Sequence, residues 1–358
     1  MPCERVVLRD PTDPALTRRV AQLVQQGDLV VLPTETVYGL AVLPRCARGV
    51  DAARELKGRG QDHPFTWHLA TADDLPRIAV PPDARTERLL QRYWPGPLTV
   101  VLRGVDGGTV GARLPAHEFT RAVIAAVGEP LWLTSINHSG ELPLCDVDAI
   151  VQRFGAILAL VVDDGPSPLG VASTVVRCIG PQFEVLREGI LSRDEVLQVA
   201  AQTLLFVCTG NTCRSPLAAA IARVEVSKAL GIGPDALLAR GLSFQSAGTR
   251  TLPGMPASEG SLAVADELGV DLHAHQSQLF DEGLGRRSTR IYCLGRAHLE
   301  AMQEFGPEIL AKAQMLQPDG QEIADPFGGS LAEYRRARDQ IAAAIKARLP
   351  EWLALLAD

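Results

Sequence analysis

The sequence predicts an α/β protein of two domains, each a sheet flanked by helices. Three observations predict it. Short apolar runs alternate with longer segments of helical period along the whole chain, the pattern of strands alternating with helices. The stretch Phe206-Val207-Cys208-Thr209-Gly210-Asn211-Thr212-Cys213-Arg214-Ser215-Pro216 follows an apolar run and precedes an Ala-rich segment, so a strand ends, a tight loop turns and a helix begins. The length, 358 residues, also exceeds one domain of ordinary size. The expected division is 1–200 and 201–358.

Composition narrows the class. Hydrophobic residues at 46% and charged residues at 22% suit a soluble globular chain, and a net charge of −7 argues against coating nucleic acid or an anionic membrane. No apolar run approaches the ~20 residues of a bilayer span. Met1 to Arg5 lack the apolar core of a signal peptide, so a cytoplasmic location and no membrane partner are expected. Seven cysteines without a C-x-x-C pair fit a reducing compartment. His273 and His275 lack companion ligands nearby, so no metal site and no tightly bound cofactor are expected.

Taken in order, Val6–Leu8 reads as a strand and Pro14–Gln26 as a helix stopped by Gly27. Asp28–Leu32 is a buried strand. It runs into Pro33-Thr34-Glu35-Thr36-Val37-Tyr38-Gly39-Leu40, polar groups at a strand end that suit either a ligand site or a capped turn. A helix over 48–56 ends at Lys57-Gly58-Arg59-Gly60. These two cations either converge on a phosphate chain or simply suit a helix C-terminus. Phe65–Ala70 is a strand with His68 embedded, where a satisfied core histidine is the commoner case. Tyr93–Thr99 is an aromatic turn between a helix and the strand Thr99–Arg103. Thr109–Leu114 is a strand, a helix runs to Val127, and the strand Leu131–Thr134 ends in a polar loop, Ser135–Gly140. Strands at Ile157–Val162, Ala172–Val176 and Val185–Gly189 complete the half.

Across 6–198 these pieces resemble the YrdC family, which makes threonylcarbamoyl-adenylate for tRNA modification. The matching stretches, in family order, are Pro33–Leu40, Lys57-Gly58-Arg59, Trp94–Thr99, Arg113-Leu114-Pro115, Ser135-Ile136-Asn137, Ser173–Val176 and Leu186–Gly189. The resemblance implies a twisted α/β sheet around a concave basic cavity. It implies L-threonine, bicarbonate and ATP with Mg²⁺ as substrates, and tRNA or its modification machinery as a partner. By the same resemblance, Lys57, Arg59, Ser135 and Asn137 handle ATP and the carbamoylating step, and Thr109 and Arg187 lie near the nucleotide. Thr34, His68, Arg113 and Ser173 line the threonine pocket. Cations and hydroxyls for phosphates, and an arginine for a carboxylate, make physical sense. Ile136, Ala41-Val42-Leu43-Pro44 and Gly60 depart from the family pattern and are expected at the cavity edge. A reading of another class makes this half a nucleotide- or RNA-binding module that targets the second half.

At the joint, Ser192 and Glu195 form a capping box for a helix to about Ala201. A strand begins at Thr203. After the opening loop, a helix covers Pro216–Leu230, a strand Leu237–Ser246, a helix Ala257–Leu268, a strand Arg290–Leu294 and a helix Arg296–Phe305. A short strand at Met315-Leu316 and a long helix from Leu331 to about Leu349 close a small doubly wound parallel sheet.

The loop from Cys208 to Ser215 is long enough to wrap its backbone N–H groups around one tetrahedral oxyanion, with a helix N-terminus beneath it. Arg214 can clamp two oxygens, and a Cys208 thiolate below a phosphate is a nucleophile aimed at phosphorus. The leaving group then needs a proton donor, and Asp325, before Pro326, is the candidate. With both motifs, about 203–350 resembles the low-molecular-weight protein-tyrosine phosphatase family. The resemblance makes Thr209, Gly210, Asn211, Thr212, Cys213 and Ser215 the phosphate-binding loop, with Ser246 and His275 supporting it. It makes Cys213 the thiol that traps an oxidised Cys208. Thr212 and Asp325-Pro326-Phe327-Gly328-Gly329-Ser330 look like the protein-arginine-phosphatase branch, so phosphoarginine or phosphotyrosine in a protein is the expected substrate. The family also holds arsenate reductases, which use further downstream cysteines; here only Cys293 follows Cys213.

Overall fold

The computed structural model describes residues 3–58, 65–138, 140–180 and 182–356. The chain forms two compact units, Met1–Val196 and Leu197–Asp358.

Among the described residues of the first unit, ten strands form one mixed sheet. They are β1 (Glu4–Val7), β2 (Val30–Leu32), β3 (Gly39–Val42), β4 (Thr66–His68), β5 (Leu98–Arg103), β6 (Thr109–Arg113), β7 (Leu131–Ser135), β8 (Leu160–Asp163), β9 (Thr174–Ile179) and β10 (Gln182–Arg187). Their order is β1-β8-β2-β3-β7-β4-β6-β5-β9-β10. Helices Pro14–Gln25 and Glu118–Val127 cover one face, where Val20, Val24, Phe119 and Val123 join Leu32, Leu133 and Val162 in one core. Helices Ala47–Lys57 and Val147–Phe154 bring Ala53, Ile150 and Phe154 into a second core with Tyr38, Leu40 and Val161.

Two departures from the sequence reading bear on the site. The end of the polar stretch is strand: Gly39–Val42 lies antiparallel between β2 and β7, with Gly39 opposite Ser135. Ala41, Val42 and Leu43 are therefore buried, and so is Ile136, which packs with Tyr38 and Leu40. Strand-end alternation explains Ile136: its neighbours Ser135 and Asn137 face one way and it faces the other. These positions belong to the core and not to a cavity edge. Gly60 lies outside the described residues.

The second unit holds β11 (Gln202–Cys208), β12 (Leu242–Gly248), β13 (Arg290–Cys293) and β14 (Ala313–Met315), all parallel in the order β12-β11-β13-β14. The strand expected over 237–246 is a turn in its first part. Leu242 N–H bonds back to the Leu237 carbonyl, and Gly241 has a φ of 95° that ends the turn. Leu237 is apolar because the turn buries it, not because it is strand. The last helix runs Leu331–Ala354, past the expected end and through Pro350. Proline inside a helix loses a hydrogen bond. Trp352 offsets that loss: it is buried against Phe206 and Tyr292, and its Nε1 donates to Tyr292 Oη at 2.7 Å. No helix among the described residues is long and apolar enough to cross a membrane.

Candidate functional site

In the first unit, helix Ala47–Lys57 ends at Gly58, whose φ of 60° suits glycine at a helix C-terminus. That end carries Lys57 to the end of β7. Lys57, 1% exposed, donates from Nζ to the Ser135 carbonyl at 2.7 Å and to Asn137 Oδ1 at 3.0 Å. Ser135 Oγ donates to the same Oδ1 at 2.6 Å, and Asn137 Nδ2 donates to the His138 and Glu141 carbonyls. The expected K-x-R and S-x-N residues thus meet at Lys57, Ser135 and Asn137. Arg59 lies outside the described residues.

A second group forms around Arg113. Register sets His68 beside it across β4 and β6. Arg113 is buried and already holds a carboxylate: Nη2 donates to Glu35 Oε1 at 2.6 Å, and Nε to the Gly96 carbonyl at 3.2 Å. Glu35 Oε2 also accepts the Ala116 N–H. Thr34 turns its hydroxyl onto its own loop, donating to the Val37 carbonyl at 2.6 Å. Ser173 Oγ pairs with Thr99 Oγ1 at 2.8 Å, while Arg187 grips the Ser173 carbonyl through Nε and Nη2. Thr109 does not join either group. It is exposed at the start of β6 opposite Arg103, four residues or about 13 Å of strand from Arg113.

Burial, then the nearby Arg113 charge, pushes the His68 pKa down to about 3. His68 is therefore neutral in the folded chain, while the unfolded chain takes up a proton as pH falls below about 6.5. The stability it contributes is full above about 6.5 and is lost as pH falls towards 3. Urea midpoints at pH 7.5, 6 and 5 are expected to fall more steeply in wild type than in His68→Gln.

In the second unit, Cys208 ends β11 and Arg214 opens the helix Arg214–Leu230. Two groups approach the sulfur: Asn211 donates its N–H at 3.3 Å, and Ser215 Oγ lies 3.0 Å away. Asn211 has a φ of 52°, a left-handed backbone uncommon outside glycine. Four bonds hold it there. Its Nδ2 donates to Ser215 Oγ (2.9 Å) and Ser246 Oγ (2.8 Å), its Oδ1 accepts Gln278 N–H (2.8 Å), and its carbonyl meets His275 Nε2 (2.7 Å). Burial lowers the His275 pKa, so the neutral ring donates. Gly248 must lack a side chain, because a Cβ would stand 2.6 Å from the Thr209 carbonyl oxygen. Gly248→Ala is expected to push the Thr209 peptide out of place and to destabilise the protein by about 1–3 kcal/mol; an unchanged thermal midpoint would contradict that constraint.

Arg214 is buried, with Nη1 tied to the Ile323 carbonyl at 3.0 Å and Nη2 paired with Asp325 Oδ2 at 2.6 Å. Its Nε is buried and has no hydrogen-bond partner among the described residues. The Nε/Nη2 edge is the one that binds a tetrahedral oxyanion side-on. An anion there would satisfy Nε and take Nη2 from Asp325. Cys213 lies in the same loop, its Sγ donating to Ser258 Oγ at 3.2 Å and lying 3.7 Å from Tyr334 Oη. Thr212 Oγ1 is 3.6 Å from Cys213 Sγ. Cys293, the only later cysteine, is fully buried in β13.

Sequence reasoning missed Glu35, Thr99, Gln278, Ser258, Tyr334 and His298. Glu35 had a signal, as a carboxylate inside the polar stretch. Gln278 acts through its backbone N–H, which no side-chain type reveals.

Among the described residues, a ten-stranded mixed sheet carrying the lysine cluster and a small parallel sheet ending in a cysteine–arginine cradle define a two-part α/β chain. Residues 22–189 match the family Sua5_yciO_yrdC, described as "Telomere recombination", and residues 203–357 match "Low molecular weight phosphotyrosine protein phosphatase". The threonylcarbamoyl-AMP synthase of Halorhodospira halophila is 34% identical over 168 residues, 44% of this chain and 86% of that protein. That of Pyrococcus abyssi is 34% identical over 194 residues, 52% of this chain and 57% of that protein. The solved structure of a P. abyssi Sua5 variant superposes with a TM-score of 0.51 at 25% identity, covering 81% of this chain and 98% of that one. The chain belongs to the Sua5/YciO/YrdC family through its first unit and carries a low-molecular-weight phosphatase domain in its second. It spans little more than half the length of the P. abyssi synthase.

Proposed function

We propose that the chain is a bifunctional cytoplasmic enzyme, with a synthase over 1–200 and a phosphatase over 201–358. The first part joins L-threonine, bicarbonate and ATP into L-threonylcarbamoyladenylate for tRNA modification. Threonine nitrogen takes up the bicarbonate carbon as a carbamate with loss of water. A carbamate oxygen attacks the α-phosphorus of ATP, and pyrophosphate leaves. Lys57, with Arg59, meets phosphate oxygens, and Ser135 and Asn137 fix the ammonium in place. Arg113, beside His68, receives the threonine carboxylate by sharing or exchanging Glu35, and Ser173, Arg187 and Thr34 complete the pocket wall. Mg²⁺ enters as part of the nucleotide substrate. The convergence of Lys57, Ser135 and Asn137 from distant parts of the sequence supports this reading. Pyrophosphate release that depends on both threonine and bicarbonate tests it; none, in a preparation whose second unit is active, would sink it and favour a nucleotide- or RNA-binding module.

The second part is a cysteine-dependent protein phosphatase. Cys208 attacks phosphorus, Arg214 takes two phosphoryl oxygens, and Asp325 gives a proton to the departing group. Asp325 then accepts a proton from the water that cleaves the phosphocysteine. The observation that carries this reading is the buried, unsatisfied Arg214 Nε beside an Asp325 that an anion can displace. A hydroxyl at Thr212 can accept a hydrogen bond from a phosphoarginine guanidinium, where a branched hydrocarbon would obstruct it. Wild type is expected to hydrolyse phosphoarginine in preference to phosphotyrosine, and Thr212→Ile to reverse the order. Equal preference in the two proteins, measured with both phospho-amino acids, would refute the role of Thr212.

A further inference from the structure

The helix Arg296–Ala301 follows β13 and so starts at the sheet edge where β11 delivers Cys208. It carries His298, 5% exposed, whose Nε2 lies 2.9 Å from Thr209 Oγ1. Thr209 is the first residue after the nucleophile, and its peptide belongs to the anion cradle. The other ring nitrogen, Nδ1, is buried with no hydrogen-bond partner among the described residues. Whichever tautomer is present, Nδ1 is therefore left without a partner among the described residues, and Thr209 supplies the ring's one side-chain hydrogen bond.

His298 also stands where the cradle and the acid loop join. Leu294 bonds to Ile323 through the Ile323 N–H, Arg296 N–H donates to Glu322 Oε1, and Arg214 Nη1 donates to the Ile323 carbonyl. Burial, then Arg214, lowers the His298 pKa to about 4 against the opposing carboxylates of Asp325 and Glu322, so the ring is neutral at working pH. A neutral imidazole can orient Thr209 without adding a second cation beside the Arg214 guanidinium. Gly295 accommodates the ring: a Cβ there would touch it at 3.4 Å.

We propose that His298 is a positioning residue of the phosphatase site, pinning Thr209 so that the peptide after Cys208 faces the transferring phosphoryl group. The proposal rests on the phosphatase reading above. A cradle that must meet the charge of the transition state loses rate when one peptide is free to turn, so the effect falls on kcat more than on KM.

The test is a double-mutant cycle on the full chain with p-nitrophenyl phosphate. His298→Ala and Thr209→Val are each expected to lower kcat roughly tenfold, the scale of one lost hydrogen bond, with KM little changed. The double variant is expected to be no slower than the slower single one, because both remove the same bond. His298→Gln, whose amide can reach Thr209, and Thr209→Ser, which keeps the hydroxyl, are expected to stay within about threefold of wild type. Losses that multiply in the double variant, or a Gln variant as slow as the Ala variant, overturn the proposal. If His298→Ala does not fold, Thr209→Val against Thr209→Ser still decides, since equal kcat in those two overturns it. A wild type no faster than Cys208→Ser would instead sink the phosphatase reading itself.

Discussion

Replacing Cys208 with serine is expected to slow hydrolysis of p-nitrophenyl phosphate by on the order of 10⁴-fold or more, as when a catalytic nucleophile is removed. Pyrophosphate release from ATP, threonine and bicarbonate is expected to continue at the wild-type rate. The substitution is nearly isosteric, so the Asn211 N–H and the Ser215 Oγ that approach the sulfur at 3.3 and 3.0 Å can remain in place. What changes is the attacking atom: a hydroxyl oxygen replaces the more nucleophilic sulfur. The loss is thus chemical and not structural, and orthophosphate should still inhibit residual turnover by occupying the cradle. A serine variant that retains more than about a hundredth of the wild-type rate would mean that Cys208 is not the nucleophile.

Lys57→Ala carries the second large effect, in the other direction. It is expected to reduce pyrophosphate release by roughly a hundredfold or more, the scale of losing a preorganised charge at a reacting phosphoryl group. Phosphatase turnover is expected to stay unchanged. Removing the ammonium also strips Asn137 Oδ1 and the Ser135 carbonyl of a donor, so the end of β7 loses its anchor. Lys57→Arg is no substitute, because a planar guanidinium does not fit a site built for a compact ammonium 1% exposed. Parallel assays of both activities check it. A coordinated fall in both would point to a folding defect.

How much of this was legible in the sequence varied with the reach of the forces involved. The strand–loop–helix around Cys208 was plain, because the apolar run of β11 and the residues of the loop are contiguous. The capped helix at Arg193–Ala200 was equally local: Ser192 and Glu195 bond reciprocally. The helix Val147–Phe154 went unread although Asp146 caps it and Val147, Ile150 and Phe154 share its buried face. Eight residues give too short a period to stand out. Thr109 was placed with the site because motif order says nothing about which end of a strand a residue occupies. The partners of Arg113 and Arg214, Glu35 and Asp325, lie 78 and 111 residues away in sequence, and only the fold brings them together.

The Arg214–Asp325 pair has a consequence for ligand valence. At rest the guanidinium already enjoys one negative charge, from a carboxylate whose side chain is 47% exposed. A singly charged visitor, such as a sulfate ester or a phosphodiester, merely exchanges one minus sign for another. A phosphate monoester dianion brings two, and its second charge repels the carboxylate it displaces. An anion entering the cradle must therefore outcompete the Asp325 carboxylate for Nη2, and a dianion brings the larger charge to that exchange.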